Sequence, residues 1–213
     1  MKRAGWNNGY MKSLVCALTV LLISSCASTR LTTSWYDAEY SDKNLLQDVL
    51  IIGVSKDETV RRLFEDRFVA ILEEAGVDAV QSYTLKASDI EPTRAAVEKA
   101  VAEAEAKFVI VTRHLSTDTT QHYRPPERVS VYADPYYSRM YRYYPMAYRE
   151  VYYTPGYSYD VTTVSMESNL YDAGTEKLVW SAQSQSTDPK MTRKYIDALI
   201  DVFTKNLQAN GLL

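Results

Sequence analysis

The densest concentration of side chains able to make contacts lies in residues 117–160, with twelve of the eighteen tyrosines, five arginines, five prolines and no lysine. A tyrosine ring offers a flat apolar face and a hydroxyl while freezing few rotors, and a guanidinium stacks on such faces. The same pairing suits binding surfaces. The candidate binding residues are Tyr136, Tyr137, Arg139, Tyr141, Arg142, Tyr143, Tyr144 and Tyr148. Aromatic faces of this kind could also stack on the sugar rings of peptidoglycan or lipopolysaccharide. Two other arrangements would use the composition: a long loop whose tyrosines are solvent-tolerant filler, and a membrane-inserted hairpin. The prolines and arginines oppose the hairpin, because a barrel strand needs unbroken alternation. A 44-residue insertion between core strands is uncommon unless it is functional or disordered.

Other candidate chemistry is sparse. His114 and His122, with Asp118 between them, could face one way on an extended strand. Zinc would need three or four ligands, and no further histidine and no suitable cysteine is at hand, so no metal site is expected. Glu65 and Asp66 sit beside Arg61, Arg62 and Arg67 on a helical stretch, where solvated ion pairs are the expected role. There is no G-x-S-x-G, no supported S-x-x-K and no phosphate loop. The sequence therefore predicts neither an enzyme nor a cofactor, apart from covalent lipid.

That lipid belongs on Cys26. Residues 1–12 carry Lys2, Arg3 and Lys12 with no acid, and an apolar run of about ten residues over 14–23 ends at Ser24-Ser25-Cys26. The run is too short to span a bilayer, which needs roughly 20 apolar residues. Ile23-Ser24-Ser25-Cys26 resembles the bacterial lipobox, and the resemblance implies cleavage before Cys26, diacylglycerol on its thiol and an acylated amino terminus. Cys16 lies inside the apolar run and is the poorer site. Met11-Lys12-Ser13 would also open a compact signal, so translation could begin there. More than one acyl chain makes a stable anchor. Ala27, not Asp, follows the cysteine, which by analogy with bacterial sorting implies the outer membrane, at its periplasmic face.

After residue 25 the chain carries 21 basic against 27 acidic residues, a formal charge of −6. A nucleic-acid partner would demand a basic face, so none is expected. The 188 residues suit one domain with a sizeable core. With Cys26 lipidated no disulfide can form, and the core alone must hold the fold. Residues 26–31 are expected to be a lipidated tether and 32–213 a single domain, with 117–160 inserted in it.

Several elements are legible. Residues 31–35 favour a strand, and the apolar runs 49–54 and 108–112 suit strands buried on both faces. Ser55 and Glu58 have capping-box spacing ahead of a helix that Gly76 closes. A short strand is expected at 77–80 and an alanine-rich helix over 92–106. Residues 162–171 and 177–186 alternate in polarity around Asp172-Ala173-Gly174-Thr175, a hairpin signal. One face of that hairpin collects Val164, Met166, Leu170, Leu178, Trp180 and Ala182. Asp188-Pro189 has the pattern of a helix start. Together these predict a mixed α/β fold: βαβαβ, then a β-hairpin and a C-terminal helix, one mixed sheet with three main helices.

Ser34-Trp35-Tyr36-Asp37, the strand over 49–54, Arg62 with Phe64-Glu65-Asp66, and Leu170-Tyr171-Asp172 leading to Leu178-Val179-Trp180-Ser181 resemble a family of small bacterial envelope lipoproteins. These are similar in layout to the amino-terminal domain of TolB and to LpoB, PelC and CsgG. The resemblance implies a non-enzymatic accessory role exercised through protein contacts, or a subunit of an oligomeric export or assembly complex. The tyrosine-rich stretch has no counterpart in it.

Overall fold

The computed structural model describes residues 29–41, 46–86, 93–125, 139–153 and 156–213. The signal segment, Cys26, Tyr136 and Tyr137 lie outside the described residues. Among the described residues six strands form one mixed sheet: β1 (Thr29–Tyr36), β2 (Val49–Val54), β3 (Ala79–Gln81), β4 (Phe108–Arg124), β5 (Tyr157–Asp172) and β6 (Leu178–Thr187). Their order is β1-β6-β5-β4-β2-β3. β2 runs parallel to β3 and β4, and the remaining pairings are antiparallel. The expected mixed α/β architecture is therefore present, with four α-helices among the described residues: α1 (Glu58–Glu74), α2 (Arg94–Glu103), α3 (Met140–Tyr153) and α4 (Arg193–Ala209).

Alternation along the parallel strands explains the two-sided burial. Val49 and Ile51 of β2, with Phe108 and Ile110 of β4, join the core under α1 and α4. Leu50 and Val109 face the other way, into a smaller core shared with Ala100 of α2. Helix α4 buries Tyr195, Ile196, Leu199, Ile200, Phe203, Thr204 and Leu207, the helical period expected of a face packed on a sheet. Trp180 is fully buried, lies edge-on to Phe203 and donates its indole N–H to Asn206 Oδ1 at 2.8 Å.

Four local expectations change. The strand β1 begins at Thr29, inside the stretch read as tether, because its backbone pairs with Ser186 and Gln185. Helix α1 is capped by Asp57, not Ser55; the Asp57 carboxylate accepts from the N–H groups of both Thr59 and Val60. Helix α4 starts at Arg193 behind a Thr192 cap, whereas Asp188 closes the sheet, exchanging hydrogen bonds with Thr162. In the hairpin, a β-bulge pairs Leu170 with Trp180 but Tyr171 with Leu178, so Val179 joins Trp180 in the core and Leu178 leaves that face.

Candidate functional site

The tyrosine-rich stretch is not simply an insertion between two short strands, because β4 and β5 continue far into it. Beyond the Asp118↔Thr163 pair no strand among the described residues flanks them, and six pairs from Thr119↔Thr162 to Arg124↔Tyr157 form a two-stranded ribbon. At about 3.3 Å per residue the ribbon reaches roughly 20 Å past the sheet. β4 is rich in threonine here, which suits an extended backbone, and neither face carries a run of aliphatic residues.

Register decides which side chains meet. An extra residue in β4 between His114 and Ser116 reverses the phase of the strand. His114 pairs with Met166, on the face toward α1 and α4, while Asp118 and His122 pair with Thr163 and Tyr159 on the opposite face. The two histidines and Asp118 therefore do not face one way. His114 instead contacts the Thr117 hydroxyl at 2.8 Å, across the bulge. Among the described residues no three potential metal ligands converge.

The bulge assembles an aromatic stripe instead. The His122 ring stacks on Tyr159 with centroids 5.6 Å apart, and Tyr159 lies 6.1 Å from Tyr157. Tyr123 occupies the other face of the ribbon, where its ring and the Arg124 carbonyl crowd Gly156. A Cβ there would lie within 2.9 Å of that carbonyl oxygen, so the closing residue of the arm must be small. This stripe escaped sequence reasoning, since its residues come from two distant strands brought into register only by the bulge.

Helix α3 follows at the far end of the arm, its last residue three positions before Gly156. It positions Arg139, Tyr141, Arg142, Tyr143, Tyr144 and Tyr148 together, all exposed. Tyr144 and Tyr148 stand one turn apart with ring centroids at 6.3 Å. Pro145 sits inside the helix and removes one backbone donor. Exposed aromatic rings beside guanidinium groups can stack on planar or sugar rings and can hydrogen-bond along their rims.

The clefts among the described residues of the body include two beside the sheet. One of about 490 Å³ separates α2 from the sheet and is apolar, lined by Val97, Val101, Val109, Val111 and Tyr171, with Arg94 and Glu176 at its rim. The other, about 290 Å³, sits where β2 ends beside the middle of β4, next to Phe64, His114, Met166 and Tyr195. Burial pushes the Tyr195 hydroxyl above its ordinary pKa, with the Ser186 hydroxyl opposing the shift. No activated nucleophile is built at either cleft among the described residues.

The region of Glu65 and Asp66 is structural, and only half of it is solvated. Glu65 is fully buried, and its carboxylate accepts from the Gly53 and Tyr83 N–H groups, the Ser82 hydroxyl and the Arg61 guanidinium. It pins α1 to the end of β2 and to the turn after β3. Gly53 leaves room for it: a Cβ there would lie 3.2 Å from Phe64 and 3.5 Å from Glu65. Asp66 stays outside, accepting from the Tyr83 hydroxyl and raising the pKa of that phenol.

No family model and no curated protein sequence matches the chain. Solved structures that the chain resembles include the PelC dodecamer from Paraburkholderia phytofirmans, at 14% identity and a TM-score of 0.40, covering 83% of this chain and 94% of that one. Lipoprotein GNA1162 from Neisseria meningitidis is similar at 16% identity and a TM-score of 0.40, covering 76% and 97%. PelC, expected from the sequence, is thus among the structural neighbours.

Proposed function

We propose that this chain is an outer-membrane lipoprotein, anchored at the periplasmic face through diacylglycerol and an acyl chain on Cys26, that acts without catalysis as an accessory binding protein. Its arm, the ribbon with α3, contacts an envelope protein or a wall polymer such as peptidoglycan or lipopolysaccharide. The observation that carries this reading is the ribbon itself, which leaves the sheet and holds His122 stacked on Tyr159, with the Tyr157 ring beside them, in solvent. Ordering exposed aromatic side chains costs entropy and gains no core, so such a stripe is best explained by a contact. A photocrosslinking residue at Tyr143 or Tyr159 captures a defined envelope component in cells, and one at Lys177, in the opposite end of the body, does not. Equal capture at all three positions contradicts the reading. Cys26→Ser abolishes fatty-acid labelling; labelling that persists removes the anchor.

A second reading, a subunit of an oligomeric export or assembly complex, draws on β1. Among the described residues this eight-residue strand pairs on one side only, with Trp35 half exposed on it, and an open edge is a template for a second chain. The mass of the protein in detergent separates the two: a monomer removes the second reading, and a closed ring shows the first to be incomplete.

A further inference from the structure

The sheet register fixes the direction of the arm relative to the anchor. Thr29, the first residue of β1, pairs with Ser186, which pairs with Val164, which pairs with Thr117. The beginning of β1 is therefore level with the base of the arm. Cys26 precedes Thr29 by three residues, a reach of at most about 10 Å. From Thr117 the arm continues seven residues to Arg124, about 23 Å further in the same direction. An arm pointing away from the bilayer would place the length of β1, again about 23 Å, between Thr29 and the lipid. A tether of about 10 Å cannot bridge that distance. The arm must lie along the membrane or point into its surface.

Helix α3 is suited to that position. Met140, Tyr141, Tyr144 and Tyr148 fall within one third of its circumference, and Tyr141 and Tyr144 are 87% and 66% exposed. Tyrosine is enriched where one end of a ring is apolar and the other wet, and flanking arginines reach phosphate while their stems stay in the apolar layer. A helix of 14 residues with Pro145 inside it has little intrinsic stability and gains from an apolar boundary. Charge agrees. Residues 124–157 hold five arginines against three acids, a charge of +2, whereas the rest of the chain from Cys26 onward holds sixteen basic and twenty-four acidic residues, −8. Anionic lipid attracts the arm and repels the body. No described helix is long and apolar enough to cross a membrane.

We infer that the Met140, Tyr141, Tyr144 and Tyr148 stripe of α3 docks on the anionic phospholipid surface that holds Cys26, leaving the side of α3 that carries Tyr143 and the His122–Tyr159–Tyr157 stripe of the ribbon for the partner. This rests on the proposed lipidation of Cys26. The test uses the lipidated full chain in phosphatidylethanolamine–phosphatidylglycerol vesicles, spin-labelled at Tyr144→Cys, at Tyr148→Cys, or at Lys177→Cys as the control. Accessibility to oxygen relative to a water-soluble nickel chelate is several-fold higher at 144 and 148 than at 177. Protein that floats with the vesicles but gives equal ratios overturns the docking and leaves the anchor intact. Protein that fails to float removes both. Labels that are aqueous in pure vesicles but immobilised in native envelopes assign the stripe to a protein, and that also overturns lipid docking.

Discussion

The two halves of β4 present the same backbone with opposite energetics. From Phe108 to Thr112 the strand is flanked on both sides and buries Phe108 and Ile110 in one core and Val109 in the other. From Thr119 to Arg124 it keeps its hydrogen-bonded ladder with β5 but is exposed throughout. Pairing alone is enough to continue a strand, yet an isolated two-stranded ribbon is marginal in water, because stability comes from burial. The body therefore holds the free energy of folding, and the arm, low in stability, holds the contact surface. Each experiment below perturbs one half and asks whether the other responds.

The largest effect is expected at Trp180. Truncation to alanine removes a fully buried indole and its hydrogen bond to Asn206, and large-to-small changes of this kind cost roughly 3–5 kcal/mol. Urea unfolding measures it; a loss below about 1 kcal/mol would place the indole outside the core. Glu65→Ala comes next. It leaves the Ser82 hydroxyl and two backbone donors without the carboxylate they share and removes the Arg61 ion pair with it, and breaking a buried pair costs on the order of 3 kcal/mol. Neither variant alters capture by the arm at temperatures where the body remains folded.

Much of the body was legible because burial writes periodicity into sequence. The runs 49–54 and 108–112, and the alternation of the last two strands, all mark faces in contact with a core. The second half of β4 was not legible: with both faces wet, Thr119-Thr120-Gln121-His122 carries no apolar period to read. The burial of Glu65 was hidden for a different reason. Its partners Gly53, Ser82 and Tyr83 are remote in sequence, so a helical acid beside arginines looks like any solvated ion pair. Leu178 was misassigned because a bulge, which leaves no signature in alternation, changes the face on which a residue lies. Of the six described candidates, Tyr141, Arg142, Tyr143, Tyr144 and Tyr148 lie on a helix no periodicity argument had suggested, and Arg139 just precedes it.

Smaller effects sharpen the contrast further. Burial alone would raise the Asp172 carboxyl, but hydrogen bonds from the Thr175 N–H and hydroxyl, the Tyr40 hydroxyl and the Gly174 N–H outweigh it and hold the group below its ordinary pKa. A carboxyl depressed in the folded state contributes stability above its unfolded pKa, and that stability is lost as the pH falls through the folded value. Asp172→Asn is thus less stable than the parent at neutral pH, by about 1 kcal/mol. The gap narrows as the pH is taken below about 4, the ordinary carboxylate value. Urea melts at neutral and acid pH measure it, and a gap that widens toward acid contradicts the assignment. Gly156→Val forces the Tyr123 ring and the Arg124 carbonyl apart. Hydrogen exchange accelerates over residues 119–124, while global stability moves by no more than about 0.5 kcal/mol.

The most direct measurement removes α3 and the segments that join it to the ribbon, and leaves the paired ribbon in place. In a chain with residues 125–156 replaced by a two-residue turn, Arg124 and Tyr157 are already paired, so the ladder closes without strain in the body. If folding energy and contact surface are separate, urea unfolding stays cooperative with its free energy within about 1 kcal/mol of the intact chain, since shortening a surface loop changes closure entropy only slowly. Loss of the cooperative transition would contradict that separation and show that the tyrosines belong to the core.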